Sequence, residues 1–248
     1  MPEFAYDLHI HSCLSPCGDE DMTPANIVGM AALKGLDVIA LTDHNSCKNC
    51  PAIMKAAQEY GISVIPGMEL TTMEEVHVLC LFPELSRAMD FDAYVYERLL
   101  PFPNREDLFG RQIIYNENDE PAGKVEYLLI SSTQITFSAA QDIVEQFGGV
   151  MIPAHIDKNS NSLLHNLGFI PSDSHFTCAE VANLDDLERL KEENPYLNGC
   201  KIIHDSDAHY LEHIHEREQF LTAASAKPAD VLEALTGKSL TSGVGVIY

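Results

Sequence analysis

Two histidines near the N-terminus have the spacing of a metal-binding pair. A predicted strand contains Asp7-Leu8-His9-Ile10-His11. Because residues two apart on a strand point to the same face, His9 and His11 would present two imidazoles side by side. That arrangement suits a transition metal. A pair of hydrogen-bonded histidines has the same spacing, so the interpretation depends on the rest of the chain.

Further possible ligands follow the other predicted strands. Short apolar strands alternate with amphipathic helices, the pattern of βα units around a parallel sheet. Strands are expected at residues 4–9, 38–42, 63–66, 76–82, 150–153, 178–181 and 201–204. Acids and histidines recur at or near the ends of these strands: Asp43, His44, Glu69, His77, His155, Asp207 and His209. In a β/α barrel these ends open on one face, where such enzymes have their active sites. The distribution therefore predicts a metal site.

The segment 83–137 breaks the βα alternation. It contains a predicted helix at residues 88–100, and strands at 112–115 and 124–130 that could form a β-hairpin. We expect an insertion beside the barrel mouth, which could serve as a lid or be a passive excursion. After it, Ser138 is expected to cap a helix over residues 139–147.

Composition suggests a small anionic partner. The 248 residues include 38 acidic and 15 basic side chains, a formal net charge of −23. Such a surface repels duplex nucleic acid and anionic membranes. Bound cations would still attract a small phosphorylated substrate, such as a phosphomonoester or a nucleotide-like compound, or the end of a short oligonucleotide. The sequence shows neither a signal peptide nor a long apolar run, so a cytoplasmic location is expected. The oligomeric state is left open.

Seven cysteines without a secretion signal indicate reduced thiols. Cys13, Cys17, Cys47 and Cys50 follow two of the predicted metal-binding strand ends. The four could meet and bind a separate zinc or iron ion, since C-x2-C is a usual zinc half-site. They could instead be small apolar packing residues.

Several short motifs together resemble those of the PHP (polymerase and histidinol phosphatase) superfamily. They are His9-Ile10-His11, Thr42-Asp43-His44, Glu69, His155 and Ser206-Asp207-Ala208-His209, and the resemblance runs over about residues 5–210. It implies an α/β fold, a distorted (β/α)7 barrel, which we expect to be a single domain over residues 1–248. It also implies two or three divalent ions, Mn, Fe or Zn, and hydrolysis of phosphate esters.

The resemblance also implies a ligand set. The ligands carried over by position are His9, His11, His44, Glu69, His77, His155, Asp207 and His209, with Glu69 as the bridging carboxylate. The turn after His11 departs from the family pattern. Counting back from Thr23-Pro24 favours Asp19 as a further ligand, whereas Cys17 stands where some relatives have a histidine and could bind as a thiolate. Asp205 is a minor candidate.

The implied mechanism is metal-assisted hydrolysis of a phosphate ester. The ions would lower the pKa of a bound water, and the resulting hydroxide would attack phosphorus in line. Asp43 is expected to orient a ligand histidine. His209 or His155 could protonate the leaving alkoxide, although a metal ligand cannot easily do both, so the general acid is left open. Asn45 and Lys158 are candidate substrate contacts.

Two other functions fit parts of the pattern. Amidohydrolases cleave C–N bonds with similar barrels and His/Asp ligands, but Thr42-Asp43-His44 and the large ligand set favour the phosphoesterase. A noncatalytic metal-binding regulatory barrel is the other alternative, and the presence of every implied ligand argues against it.

Overall fold

One curved sheet organises residues 1–238, the part of the chain described by the computed structural model. The strands within these residues are β1 (Glu3–Ile10), β2 (Val38–Leu41), β3 (Ser63–Thr71), β4 (His77–Leu81), β5 (Ile113–Tyr115), β6 (Pro121–Lys124), β7 (Val150–Pro153), β8 (Cys178–Glu180), β9 (Lys201–Ile203) and β10 (Phe220–Thr222). The predicted α/β class is confirmed, and the sheet is curled into a distorted half-barrel. Residues 239–248 of the predicted domain lie outside the described part.

The main sheet has the strand order β10-β1-β2-β3-β4-β7 and mixed strand directions. β1, β2 and β3 are parallel, as expected, but β4 is antiparallel to both β3 and β7. The expectation of a wholly parallel sheet is therefore wrong. β3 continues to Thr71, and β4 begins at His77, so only a short turn joins them. Antiparallel strands can be joined by so short a connection, whereas parallel ones cannot.

Two short parallel strands lie across the gap between β7 and β1. On one side, the Ile156 amide donates to the carbonyl oxygen of Glu180 at the end of β8 (3.0 Å). On the other, the chain after β9 returns to β1, where the His11 amide donates to the carbonyl oxygen of Ala208 (2.9 Å). The carboxyl ends of β1 and β8 are thereby brought to the same rim as those of β2 and β7.

The helices pack outside the sheet and have identifiable ends. They are α1 (Pro24–Lys34), α2 (Cys50–Ala57), α3 (Leu85–Tyr96), α4 (Glu106–Phe109), α5 (Phe137–Gln146), α6 (Leu163–Asn166), α7 (Leu187–Glu193) and α8 (Pro228–Thr236). Thr23 caps α1 through its side chain, and Pro24 occupies the first helical position. Thr136, not Ser138, caps α5, because its hydroxyl accepts from the Ala139 amide.

The excursion between β4 and α5 differs from its predicted hairpin. Asn116 accepts from the amides of Asn118 and Glu120, which closes the turn early, so the second strand is β6 and not residues 124–130. Beyond β6, the buried Gln112 side chain bonds the backbone of residues 125–129. The excursion rests on the turn after β1, where the Ile113 amide donates to the carbonyl oxygen of Cys13 (3.2 Å). Its role as a lid stays a prediction.

The core has two main clusters of buried side chains. One includes residues of the outer helices α1, α2 and α3, such as Ile27, Ile53 and Phe91. The other joins residues of the strands, such as Leu8 and Leu79, to α8. Among residues 1–238 no helix has the length and apolar character needed to span a bilayer.

Candidate metal centre

A single buried carboxylate lies among five imidazoles at the rim of the sheet. Glu69 is on β3 and is 1% exposed. Its two oxygens approach ring nitrogens of His9 (3.3 Å), His11 (3.4 Å), His44 (3.0 Å), His77 (2.8 Å) and His155 (3.0 Å). His9 and His11 are two positions apart, and the other three histidines come from three further segments of the chain, so the fold itself assembles the cluster.

Strand geometry explains how the cluster forms. β1 ends beside β2, and the Nε2 atoms of His9, on β1, and His11, just after it, lie 3.1 Å apart. The extension of β3 to Thr71 places Glu69 beyond the parallel part of the sheet, and the antiparallel β4 returns His77 to it. The antiparallel direction of β4 therefore matters for the site, since His77 is the first residue of that strand.

Possible ligand atoms form three overlapping groups in which all atoms lie within 4.8 Å of one another. The groups are His9, His11, Glu69 and Asp207; His44, Glu69 and His77; and His11, His44 and His209. Glu69 belongs to two groups, as expected of a bridging carboxylate. Asp207 completes the first through its Oδ1, which lies 3.1 Å from His11 Nε2.

The electrostatics of the cluster favour an ionised carboxylate. Burial would raise the pKa of Glu69, but the neighbouring His77, His9 and His44 hold it well below its usual range. Burial likewise opposes a charged His9, yet the carboxylates of Glu180, Asp207 and Glu69 raise its pKa well above the ordinary value. The same carboxylates that attract protons here would attract divalent cations.

The donor set fits divalent metal ions. His44 Nδ1, Glu69 Oε2 and Asp207 Oδ1 are buried without a well-aligned hydrogen-bond partner. Imidazole and carboxylate donors that converge in this way suit Zn, Fe and Mn. The residues present therefore match the predicted kind of cofactor.

A family model described as PHP domain matches residues 7–241. This chain belongs to the PHP domain family. The resemblance inferred from the motifs is thereby confirmed, and membership supports the predicted class of metal-dependent phosphoester hydrolases.

Known relatives of this PHP chain include nucleases. A segment of 79 residues is 37% identical to a 5'-3' exoribonuclease from Haemophilus influenzae, covering 31% of this chain and 28% of that one. Endonuclease Q from Pyrococcus furiosus superposes with a TM-score of 0.66 at 19% identity, covering 99% of this chain and 57% of that chain. A complex of endonuclease Q with a 27-mer duplex carrying an abasic lesion superposes with a TM-score of 0.66 at 18% identity, covering 99% of this chain and 58% of that one. The matched segments span less than half of the curated relatives.

The expectation that duplex nucleic acid is excluded as a partner is wrong, and a small phosphate ester as the substrate is not confirmed. The fold of this PHP chain recurs in an endonuclease whose structure holds a DNA duplex, and a sequence relative is an exoribonuclease. The net charge of −23 describes the whole surface. It does not report the local field at a mouth where bound cations are the largest charges.

Glu180 is a positioning residue that the sequence reasoning missed. Its Oε2 lies 3.0 Å from His9 Nδ1 and accepts from the His155 amide at 3.0 Å. It therefore contacts the ring of one histidine of the cluster and the backbone of another. The available signal was its place at the end of the predicted strand 178–181, the same kind of position that singled out the other acids.

Replacing Glu180 by glutamine is expected to weaken metal binding by about 10- to 100-fold, the usual cost of losing a carboxylate behind a ligand histidine. Glutamine has one acceptor oxygen and no charge, so it cannot serve both His9 and the His155 amide as the carboxylate does. Competition against a metal-binding dye measures the affinity. Glu59→Gln, in the exposed turn after α2, should have no effect, and equal losses in both variants would contradict the role of Glu180.

Asp43 acts on the cluster through serine hydroxyls. Its carboxylate accepts from the Ser12 amide (2.7 Å), the Ser12 hydroxyl (2.6 Å) and the Ser15 hydroxyl (2.7 Å). The Ser15 oxygen in turn lies 3.0 Å from His11 Nδ1. The structure thus places Asp43 behind a histidine, although the contact is indirect.

Two predicted site residues are not brought to the cluster. The buried Asn45 amide group donates to the carbonyl oxygens of Leu129 and Ser131 and accepts from the Thr71 amide, so it braces the excursion and is not free for substrate. The Asp19 carboxylate accepts from the Asp21 amide and joins none of the three groups.

The remaining candidates lie at the mouth. Lys158 is ion-paired with Asp207 and lines an open cleft of about 450 Å³ above the cluster. The His209 ring stacks on His11, with centroids 4.2 Å apart.

Of the four cysteines, Cys13, Cys47 and Cys50 are buried, and the last two direct their thiols at the Gly67 carbonyl oxygen. Cys17 is exposed and joins none of the three groups of possible ligand atoms.

Proposed function

We propose that this PHP-family chain hydrolyses phosphodiester bonds in nucleic acid, using two or three divalent ions of Mn, Fe or Zn. The observation that carries the proposal is Glu69 surrounded by five imidazoles at the floor of an open cleft. A bridging carboxylate with histidines on both sides suits adjacent ions, the arrangement used to clamp the attacking and leaving oxygens of phosphoryl transfer.

The choice of nucleic acid is supported by the relatives. An exoribonuclease is a partial sequence relative, and endonuclease Q shares the fold over 99% of this chain. The cleft suits the end of a strand or a displaced nucleotide. It lies open to solvent, and Lys158 stands at its rim with Ser160 and Asn161.

Bound ions would supply an activated water and neutralise charge on the phosphate. The chain supplies their position: Glu69 and the histidines set the spacing, and Glu180 and Ser15 fix the rings of His9 and His11. Lys158 would bind a nonbridging phosphate oxygen beside Asp207. Lys158 is ion-paired with Asp207. Burial lowers the pKa of Lys158, but the Asp207 carboxylate outweighs burial and raises it, so the lysine stays charged.

The proposal is tested with a substrate panel and Mn²⁺. Single-stranded RNA and DNA, a duplex with an abasic site, a phosphomonoester and an amide are incubated with metal-loaded protein, with and without a chelator. We expect cleavage of at least one nucleic acid that the chelator abolishes. Turnover of the amide or the phosphomonoester alone would contradict the proposal.

Replacing Lys158 by alanine is expected to raise KM for the cleaved nucleic acid by about tenfold or more, because a charge-assisted hydrogen bond contributes roughly 1.5–3 kcal/mol. Metal content should stay unchanged, as Lys158 is not a ligand. Steady-state kinetics and elemental analysis measure the two quantities. Lys55→Ala, on the exposed face of α2, is the matched control. An unchanged KM in the Lys158 variant would remove this residue from substrate binding.

A further inference from the structure

A second concave surface, which we call the side cleft, adjoins the cleft above the metal cluster. Its volume is about 920 Å³. Its lining combines apolar and polar side chains, among them Ile156, Leu164, Leu190, Asn159, His165 and Asn183. Lys158 lines both clefts. The two clefts are therefore neighbouring parts of one surface, with Lys158 at their junction.

Hydrogen bonds hold the side cleft in a fixed position relative to the metal cluster. Ile156 directly follows His155, a member of the cluster, and its amide donates to a carbonyl oxygen at the end of β8 (3.0 Å). The Asp157 carboxylate accepts from the amides of Ala182 (2.7 Å) and Asn183 (2.8 Å). These bonds join the two walls of the side cleft, one of which follows β7 and the other β8. A ligand bound between the walls would therefore have a defined place beside the metal ligands.

The charges in the side cleft favour an uncharged group over a phosphate. Three carboxylates line it, those of Asp157, Asp186 and Glu193. Its two cations are already engaged, because Arg189 is paired with Asp186 (3.1 Å) and Glu193 (3.2 Å), and Lys158 is paired with a carboxylate of the metal cluster. A nucleobase carries no charge, and its exocyclic amino groups can donate to carboxylate and amide oxygens. The lining therefore suits a base better than a second phosphate.

The size and the layout of the side cleft also fit a base. Clefts that bind small molecules measure about 300–1,000 Å³ and combine apolar walls with a few polar groups. Ile156 and Leu190 are buried and form the floor, whereas Asn159 and His165 are exposed at the rim. An imidazole ring at such a rim can stack on a base, because every base has a π-face.

We propose that the side cleft binds a base of the nucleic-acid substrate, that of the nucleotide next to the phosphate held at the metal cluster, with His165 as a contact of that base. The inference rests on the function proposed above and specifies how its substrate is held. Lys158, at the junction of the two clefts, is placed to meet the phosphate while the base lies in the side cleft. Affinity for the substrate would then depend on one base as well as on the phosphate.

Short single-stranded oligonucleotides with phosphorothioate linkages, which resist hydrolysis, are the probes. Each carries an abasic site at one position, and fluorescence anisotropy measures its Kd for the metal-loaded full chain. We expect one position at which loss of the base weakens binding by about fivefold or more, the scale of one stacked base. In His165→Ala the ratio of the abasic to the intact Kd at that position should fall toward one, because the base has lost its partner. His213→Ala, which removes an exposed histidine elsewhere, should keep the full ratio.

A fluorescent adenine analogue at the same position adds a second measurement, since its emission falls when it stacks on a ring. We expect this quenching in the unaltered protein and in His213→Ala, and its loss in His165→Ala. Absence of any base-dependent position, or a full Kd ratio and full quenching in His165→Ala, would overturn the proposal. These readouts need no cleavage. Base-dependent binding without hydrolysis of the matching phosphodiester would refute the proposed function and leave the base site standing, whereas hydrolysis without base dependence would refute the base site alone.

Discussion

Glu69→Gln is expected to abolish stable metal binding and reduce nucleic-acid hydrolysis by roughly two to three orders of magnitude, the scale seen when a central electrostatic contribution to catalysis is removed. Five imidazole nitrogens lie within 3.4 Å of its two oxygens. Glutamine keeps the shape but has one acceptor and no charge. It cannot neutralise two adjacent cations, and its amide NH₂ would face histidine nitrogens or the ions themselves.

Elemental analysis after metal loading and single-turnover hydrolysis measure the two effects separately. Glu233→Gln makes the same chemical change at an exposed position of α8 and should alter neither quantity. His213→Ala, which removes an exposed histidine, should also leave metal content and hydrolysis unchanged. Full metal content in Glu69→Gln would show that this carboxylate does not bridge ions, even if hydrolysis were lost.

Much of the fold and of the cluster follows from local sequence rules. Parallel strands end at one edge, so acids and histidines at or near strand ends could be expected to meet, and the structure places His9, His11, His44 and Glu69 together. The antiparallel direction of β4 could not be predicted from these rules. It depends on β3 continuing to Thr71, which leaves only a short turn before β4. The apolar pattern of residues 63–66 indicated only the parallel part of that strand, before Gly67.

The residues that contact or neighbour the cluster were harder to predict than the cluster itself. Asn45 follows His44 and looked able to reach substrate, but backbone groups from Leu129, Ser131 and Thr71 bind its side chain. Those partners are distant in sequence, so no local pattern reveals them. Glu180 was overlooked for the converse reason, since its role appears only when β8 is placed beside His9 and His155.

The exclusion of nucleic acid was wrong because it was inferred from the net charge of the whole chain, whereas binding depends on the local charge at the cleft. A net charge of −23 averages over the entire surface. The cleft combines Lys158 with a cluster suited to divalent ions, and its field is set by those groups. Whole-chain charge therefore gives no reliable exclusion of nucleic acid for a metal enzyme of this kind.

Phe91→Ala is expected to lower the free energy of unfolding by about 3–5 kcal/mol, the usual cost of truncating a buried phenylalanine. Phe91 is fully buried on α3. Its ring lies 5.1 Å from that of Phe82 and 5.4 Å from that of Phe147, between centroids. Both rings lose a packing partner when the Phe91 ring is removed, and the cavity left behind adds to the lost burial.

Urea denaturation of the metal-free protein measures this change without a contribution from bound ions. Phe169→Ala is the matched control, because Phe169 is 61% exposed and its truncation should change stability by about 0.5 kcal/mol or less. Phe91 lies on α3 and is not among the possible ligand groups around Glu69, so folded Phe91→Ala should still bind the full complement of metal. Similar free energies of unfolding for the two variants would contradict the placement of Phe91 in the buried core. Loss of metal by folded Phe91→Ala would show instead that packing under α3 controls the geometry around Glu69.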